Sequence, residues 1–208
     1  MSDETEEQKK LMRQIDISCV QAFHTMDEID AMVELAKKYR LAAVFTLPAF
    51  SAHVAERLQD TREIHAGGVV SFPGGGDTTG QKKRQAKELW EAGCREIDMV
   101  MNLTAFRSHE FSYVKEELLA IREQVPSAIF KVIIEAPQLT EQEICQAVDL
   151  CVEGRADYVK TSTGWYPGCP STVEQVRIMS VKPPVAFRSS RRWNPQSGNY
   201  TGNAESRL

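Results

Sequence analysis

The sequence predicts an α/β protein in which short buried strands alternate with amphipathic helices. Six apolar, β-branched segments recur in the first 180 residues, at the spacing of one strand–helix unit. Some of them, such as FKVIIEA, are apolar on both faces, which is typical of parallel strands covered by helices on both sides. These observations predict a parallel sheet, and they leave open whether it is a doubly wound sheet or part of an eight-stranded barrel.

Hydrophobic periodicity and helix-capping residues predict the positions of the strands and helices along the chain. The predicted strands are Gln14–Val20, Leu41–Leu47, Gly68–Ser71, Glu96–Met101, Phe130–Glu135 and Tyr158–Thr161. Helices with one apolar face are predicted near Asp27–Tyr39, Gln81–Ala92 and Glu110–Gln124. Capping-box spacing predicts helix starts at the pairs Thr25 and Glu28, Thr140 and Glu143, and Ser171 and Glu174.

Composition limits the class of protein. The 208 residues suffice for one domain with a tail, and a net charge of −4 argues against a nucleic-acid partner. No segment is apolar for long enough to predict a membrane helix, and no spacing predicts a metal site. The odd number of cysteines, five, predicts a reducing, cytoplasmic location. The histidines are interpreted as surface or loop residues: His24, His53, His65 and His109.

Two ionisable residues interrupt apolar strands. Asp98 lies inside EIDMVM, and Lys160 ends ADYVK. An unpaired buried charge is costly, so each needs a partner or a function, and a purely structural Lys–Asp ion pair remains one interpretation. The other is chemical, because the carboxyl ends of barrel strands face the active site. A desolvated lysine releases its proton more readily, and its neutral amine can form a Schiff base while a carboxylate moves protons.

Further polar residues are weaker candidates. The TSTG segment after Lys160 offers hydroxyls and a glycine that allows close approach of a ligand. Lys131 and Glu135 lie on one face of a strand, either as polar groups that support the site or as solvated strand ends. The loop SFPGGGDTTG lacks the signatures of phosphate and dinucleotide loops, although its Phe72 is placed to wall a pocket.

Between Ile15 and Met179 the sequence resembles the deoxyribose-phosphate aldolases. The segments that carry the resemblance occur in the order of that family: IDIS, VFTLPAF, VVSFPGG, EIDMVMNLTAF, KVIIEAPQLTEQEI and ADYVKTSTGW. The combination of EIDMV with KTSTG, about 60 residues apart, is the most specific part. The resemblance implies a TIM (β/α)₈-type barrel, of which about six βα units are recognisable and strands 7 and 8 are altered or missing.

The resemblance also implies a function. The family cleaves 2-deoxy-D-ribose 5-phosphate reversibly to D-glyceraldehyde 3-phosphate and acetaldehyde, with no metal or cofactor. Carried onto this sequence, Lys160 forms the Schiff base, Asp98 donates and accepts protons with a water, and Asp16 and Ser18 orient the substrate or the lysine. The predicted substrate-binding residues are Asp16, Ser18, Phe72, Thr161, Thr163 and Gly164. A phosphorylated sugar is the expected partner, and a homodimer is the expected assembly.

The chain departs from that family after residue 180. The second lysine and the phosphate-binding loops of the family have no counterpart here, and residues 181–208 carry five Lys or Arg against one acid. We therefore expect a domain over 1–180 and an irregular, disordered basic tail over 181–208. One hypothesis is that the tail results from a frameshift or truncation. The alternatives for function are an impaired aldolase remnant and a related Schiff-base aldolase with other aldehyde substrates.

Overall fold

The structure, a computed structural model, describes residues 5–181 and, beyond them, the backbone of 186–188, 191–194 and 199–201. The parallel strands are β1 Asp16–Cys19, β2 Ala43–Thr46, β3 His65–Val70, β4 Glu96–Val100, β5 Ile129–Ile133 and β6 Tyr158–Lys160. The helices are α1 Glu6–Met12, α2 Met26–Tyr39, α3 Ser51–Arg57, α4 Thr79–Glu91, α5 Leu103–Arg107, α6 Phe111–Gln124, α7 Glu141–Glu153 and α8 Val173–Ser180.

Each strand from β2 to β6 pairs in parallel with the strand that precedes it in the chain. A doubly wound sheet reverses its strand order at a central strand, whereas the order from β1 to β6 is strictly sequential. The six strands therefore curl into a half-barrel, which decides between the two architectures that the sequence left open. The predicted barrel-type fold with six recognisable units is confirmed.

Three short strands extend the sheet beyond residue 180, where the sequence predicted none. β7 (Ala186–Arg188) pairs in parallel with β6, and β8 (Arg191–Asn194) pairs in parallel with β1. β9 (Asn199–Thr201) is antiparallel to β8. An edge strand offers unpaired backbone donors and acceptors to any neighbouring segment, whatever its side-chain pattern. The rest of the predicted tail lies outside the described residues, so its disorder and its separation from 1–180 stay predictions.

The helix starts follow the predicted caps with one exception. Thr25 and Thr140 form capping boxes with Glu28 and Glu143. The cap of α8 is Thr172, which pairs with Gln175, so the predicted box of Ser171 and Glu174 is wrong. The hydroxyl of Ser171 instead donates to Thr161 at 2.7 Å. Ser171 therefore ties the loop before α8 to the end of β6.

The apolar core lies between the sheet and the helices that cover its outer face. A large cluster joins β4 and β5 to α4, α6 and α7, and a smaller one joins β1 and β2 to α2 and α3. Because side chains alternate across a strand, the other side chains of each strand point to the inner, concave face. The polar residues of the candidate site lie on that inner face.

Candidate active site

A pocket opens at the carboxyl ends of the strands, on the concave face. Its lining combines two acids and one lysine with hydroxyl and apolar side chains: Asp16, Ser18, Val20, Phe45, Val69, Phe72, Asp98, Ile133, Lys160, Ser162 and Thr163. This is the end of a βα barrel at which substrates bind. Of the eight residues predicted from sequence, Asp16, Ser18, Phe72, Asp98, Lys160 and Thr163 line this pocket.

Lys160 and Asp98 meet in this pocket. Lys160 is the last residue of β6 and is 4% exposed, and its Nζ contacts Oδ2 of Asp98, which is 2% exposed. The second carboxylate oxygen, Oδ1, accepts no hydrogen bond from the part of the chain that the structure describes. The ion pair that sequence reasoning kept as a structural alternative is present, and it stands at the pocket wall. A carboxylate with one oxygen on the lysine and one free of hydrogen bonds can accept a proton there.

Lys131 is the centre of a second group of charges below this pair. Its side chain is fully buried, and its Nζ lies 2.7 Å from Asp16 Oδ2 and 3.3 Å from Asp98 Oδ1 and also contacts Glu96. The interpretation of Lys131 as a solvated strand end is wrong. Three carboxylates surround one ammonium group, so the buried charge of Lys131 is paired within the protein. Lys131 thereby links Asp16 of β1 to Asp98 of β4.

One aromatic ring lies against both lysines. The ring of Phe45 has its centroid 4.5 Å from Lys131 Nζ and 5.1 Å from Lys160 Nζ. Its position depends on Gly67 in the neighbouring strand, where an added Cβ would lie 2.3 Å from the ring. The electron-rich face of a ring stabilises positive charge within about 6 Å. Phe45 is thus a partner for the positive charge of Lys160.

The loop after β6 is held by polar contacts. The backbone N–H and the side chain of Thr163 bind the buried carboxylate of Glu135, while Ser171 bridges Thr161 and Ser162. Burial raises the pKa of Glu135, an effect that its hydrogen bonds to Thr163 oppose. Thr161 is buried outside the pocket lining, so its hydroxyl holds the loop in place.

The remaining predicted residues take different positions in this loop region. Gly164 has φ +66°, a conformation that favours glycine. Phe72 contacts Trp165 edge to face, with ring centroids 5.8 Å apart. The two rings form an aromatic wall beside the pocket, which Phe72 lines.

A buried ion pair supports β4 from the helical side. Lys82 of α4 donates to Glu117 of α6 at 2.7 Å and to the carbonyl of Val100 at 3.1 Å. Both side chains are fully buried, and burial lowers the pKa of Lys82 and raises that of Glu117. Since Val100 lies two residues after Asp98, this pair anchors the strand end that presents the carboxylate. Nothing in the sequence pattern pointed to it, because each charge lies on a different helix.

The described residues contain no group of three His, Cys, Asp or Glu side chains arranged to hold a metal ion. Among the helices that the structure describes, none is both long and apolar enough to cross a membrane.

Comparison with known proteins agrees with the geometry. A model of the family described as DeoC/LacD family aldolase matches residues 2–183. The deoxyribose-phosphate aldolase of Klebsiella pneumoniae is 39% identical over 173 residues, which are 82% of this chain and 69% of that protein. The enzyme of the same name from an Exiguobacterium species is 33% identical over 183 residues, 87% of this chain and 82% of its own.

Solved structures agree as well. An aldolase called QR15 superposes with a TM-score of 0.77 at 34% identity, covering 82% of this chain and 76% of its own. The deoxyribose-phosphate aldolase of Aeropyrum pernix, described as tetrameric, superposes with a TM-score of 0.70 at 27% identity, covering 76% and 66%. The family match and the half-barrel with its lysine at the end of β6 lead to one conclusion: this chain belongs to the DeoC/LacD family of aldolases, which are lyases.

Proposed function

We propose that the protein cleaves 2-deoxy-D-ribose 5-phosphate reversibly to acetaldehyde and D-glyceraldehyde 3-phosphate through a Schiff base on Lys160. The relatives at 33–39% identity carry the name of this activity. The observation that carries the proposal is the position of Lys160, a buried amine at a strand end that faces a pocket and contacts the carboxylate of Asp98. A class I aldolase needs these two groups in contact.

Each step of the reaction has a residue to perform it. Lys160 gives a proton to Asp98, and its amine then attacks the C1 aldehyde. Asp98 returns that proton to the carbinolamine hydroxyl, which leaves as water, so that an iminium ion and the Asp98 carboxylate remain. Asp98 accepts the proton of the C3 hydroxyl, the C2–C3 bond breaks, and its electron pair moves into the iminium to form an enamine. Return of the proton to C2 regenerates an iminium, whose hydrolysis releases acetaldehyde. Asp98 Oδ1, which lacks a hydrogen bond from the described residues, is the oxygen that takes the proton.

The other pocket residues position the substrate in this proposal. Ser18 and Thr163 offer hydroxyls to the substrate oxygens, and Gly164 lets the substrate approach the backbone. Asp16 acts through Lys131, to which it is bound, and Phe72 closes the mouth. Thr161 contributes by holding the loop.

Borohydride trapping tests the proposal. Incubation with acetaldehyde and borohydride reduces an iminium to a stable amine, and peptide mass mapping locates it. We expect the label on Lys160 and none on Lys131, whose ammonium is held by carboxylates in the same site. Lys160→Met should abolish trapping and cleavage, a loss of at least about 10³-fold. An undiminished cleavage rate in Lys160→Met would refute the mechanism.

A second substrate class is supported by the aromatic wall. Phe72 places apolar surface in the pocket wall and is backed by Trp165, so an apolar end of a substrate would find a partner there. A related aldolase activity on unphosphorylated aldehydes is therefore the alternative. Comparing kcat/KM for deoxyribose 5-phosphate with that for deoxyribose separates them. A preference for the phosphorylated sugar supports the main proposal, and a preference for the free sugar supports the alternative.

We further propose a homodimer in the cytoplasm. The described cysteines are all free thiols, which suits a reducing compartment. Light scattering of the purified protein tests the assembly, and a monomeric or tetrameric mass would contradict it.

A further inference from the structure

A line of ionisable side chains runs from the catalytic pair to the opposite end of the sheet. Asp98 contacts Lys160 through Oδ2 and Lys131 through Oδ1, and Lys131 in turn contacts Glu96 Oε2. The other oxygen of Glu96, Oε1, lies 2.9 Å from Nδ1 of His65. Asp98 and Glu96 thus each contact two different basic side chains, one through each carboxylate oxygen.

The line begins in solvent and ends in the pocket. His65 is the first residue of β3 and Glu96 the first of β4, so both lie at the amino ends of the strands, away from the pocket. The side chain of His65 is 34% exposed, whereas those of Glu96, Lys131 and Asp98 are at most 2% exposed. His65, interpreted from the sequence as a surface or loop residue, is thus partly exposed, lies in a strand and contacts the buried Glu96. An exposed imidazole exchanges protons directly with water at neutral pH, whereas a buried carboxylate reaches water only through neighbouring groups.

We propose that His65 is the solvent end of a second proton route to Asp98. This inference rests on the proposed function, because it concerns the proton that Asp98 takes from a substrate. When a substrate fills the pocket, water at the mouth is displaced from Asp98. The route then lets Asp98 exchange its proton from the far side of the barrel.

The transfer balances along the line. Lys131 passes one of its protons to Glu96, and Glu96 passes a proton to Nδ1 of His65, whose Nε2 releases one to water. Asp98, protonated by the substrate, returns a proton to the neutral Lys131. Each intermediate group gives one proton and gains one, so a single proton moves from Asp98 to solvent, and the reverse sequence brings one in. The step between Lys131 Nζ and Asp98 Oδ1 is the longest, at 3.3 Å, and it requires the ammonium group to turn one N–H towards Oδ1, which accepts no hydrogen bond from the described residues.

Hydrogen exchange of acetaldehyde measures this route. The iminium on Lys160 loses a methyl proton to Asp98. If the same proton returns to the methyl group, nothing changes in the spectrum; deuterium enters only when Asp98 first exchanges the proton for a deuteron. The rate at which the methyl group gains deuterium in D₂O, followed by NMR, therefore reports exchange at Asp98. Borohydride trapping reports iminium formation separately.

The variants are His65→Gln, His65→Ala and, as a matched control, His53→Gln. His53 lies 2.7 Å from Asp30 and is 33% exposed, but this pair connects two helices and leads to no buried charge of the site. We expect His65→Gln to slow methyl exchange roughly tenfold or more while trapping stays unchanged. Added imidazole should restore exchange in His65→Ala, whose side chain leaves room for it, and not in His65→Gln. His53→Gln should match the unaltered protein.

The possible results distinguish a failure of this inference from a failure of the proposed function on which it rests. Unchanged exchange in both His65 variants, with normal trapping, overturns the route and leaves the aldolase mechanism intact. The same slowing in His53→Gln, or the absence of rescue by imidazole, also overturns it, because a structural effect would then explain the loss. If the unaltered protein traps no iminium, the proposed function fails and this inference fails with it.

Discussion

Gly67 makes room for the ring of Phe45, which lines the pocket. A Cβ at this position would lie 2.3 Å from the ring of Phe45, closer than any real contact, and the ring is enclosed by the sheet. Phe45 lines the pocket and lies against Lys160, so a displaced ring would disturb both. Adding one methyl group at this site should therefore alter the position of the Lys160 amine.

We predict that Gly67→Ala lowers kcat/KM at least about tenfold, since a displacement of about 1 Å in a catalytic group can cost about 10²-fold. Gly76→Ala is the control, because an added Cβ there meets nothing within 4 Å. Kinetics with deoxyribose 5-phosphate, alongside circular dichroism, checks both variants. Equal rates for the two variants would show that Phe45 has room to move.

The pocket residues Asp98 and Lys160 could be singled out from the sequence, and their charged neighbours could not. Asp98 and Lys160 each interrupt an apolar segment, so local pattern alone marks them. Lys131 and Glu96 have the same local pattern as solvated strand ends, and only the pairing of β1, β4 and β5 brings their charges together. His65 was missed because the strand was predicted to begin at Gly68 and not at His65. Pairings between distant strands are the information that a single sequence lacks.

At the scale of elements, helices α4 and α6 are joined to β4 by the ion pair of Lys82 and Glu117. Lys82→Met leaves the carboxylate of Glu117 buried without its cation. We expect a loss of about 3–5 kcal/mol in the free energy of unfolding, measured by urea denaturation. The double variant Lys82→Met/Glu117→Met removes both charges, and we expect it to regain most of that stability. A double variant as unstable as the single one would mean that packing, and not charge, causes the loss.

The stability of Lys82→Met should also depend on pH. Burial already raises the pKa of Glu117, and loss of the ammonium, which opposes this shift, raises that pKa further. A carboxyl group whose pKa is raised in the folded state adds stability at low pH, and this stability is lost as pH rises through the folded pKa. The deficit relative to the unaltered protein should thus shrink as the pH falls from 8 towards 5. A deficit that grows on acidification would contradict this account.

At the scale of the whole molecule, protection of backbone amides from hydrogen exchange should decrease from the middle of the sheet outwards. Every residue of β4 is buried, and both of its neighbours are long parallel strands. Helix α1 has no buried residue. We predict that amide hydrogens of β4 and β5 exchange slowest and those of α1 fastest in deuterium-exchange mass spectrometry. Equal protection of α1 and β4 would contradict the described packing of α1.

The half-barrel as a whole was easier to predict than its ends. Regular strand spacing and Thr caps located the helices and strands, because these signals are local. The strands beyond residue 180 gave no such signal, since they are defined by backbone pairing with β1 and β6. The start of α8 was misplaced by one residue because Ser171 bonds to Thr161 across the loop.

The buried charges around Lys131 set a limit for anyone who engineers this protein for heat resistance. Apolar residues of similar volume in place of Asp16, Glu96 and Lys131 would fill the same space without desolvated charges, and such replacements often stabilise a fold. These are the same side chains that hold Asp98 in its network. Variants selected for thermal stability alone would lose these charged side chains first, and the most stable variants would be the least active.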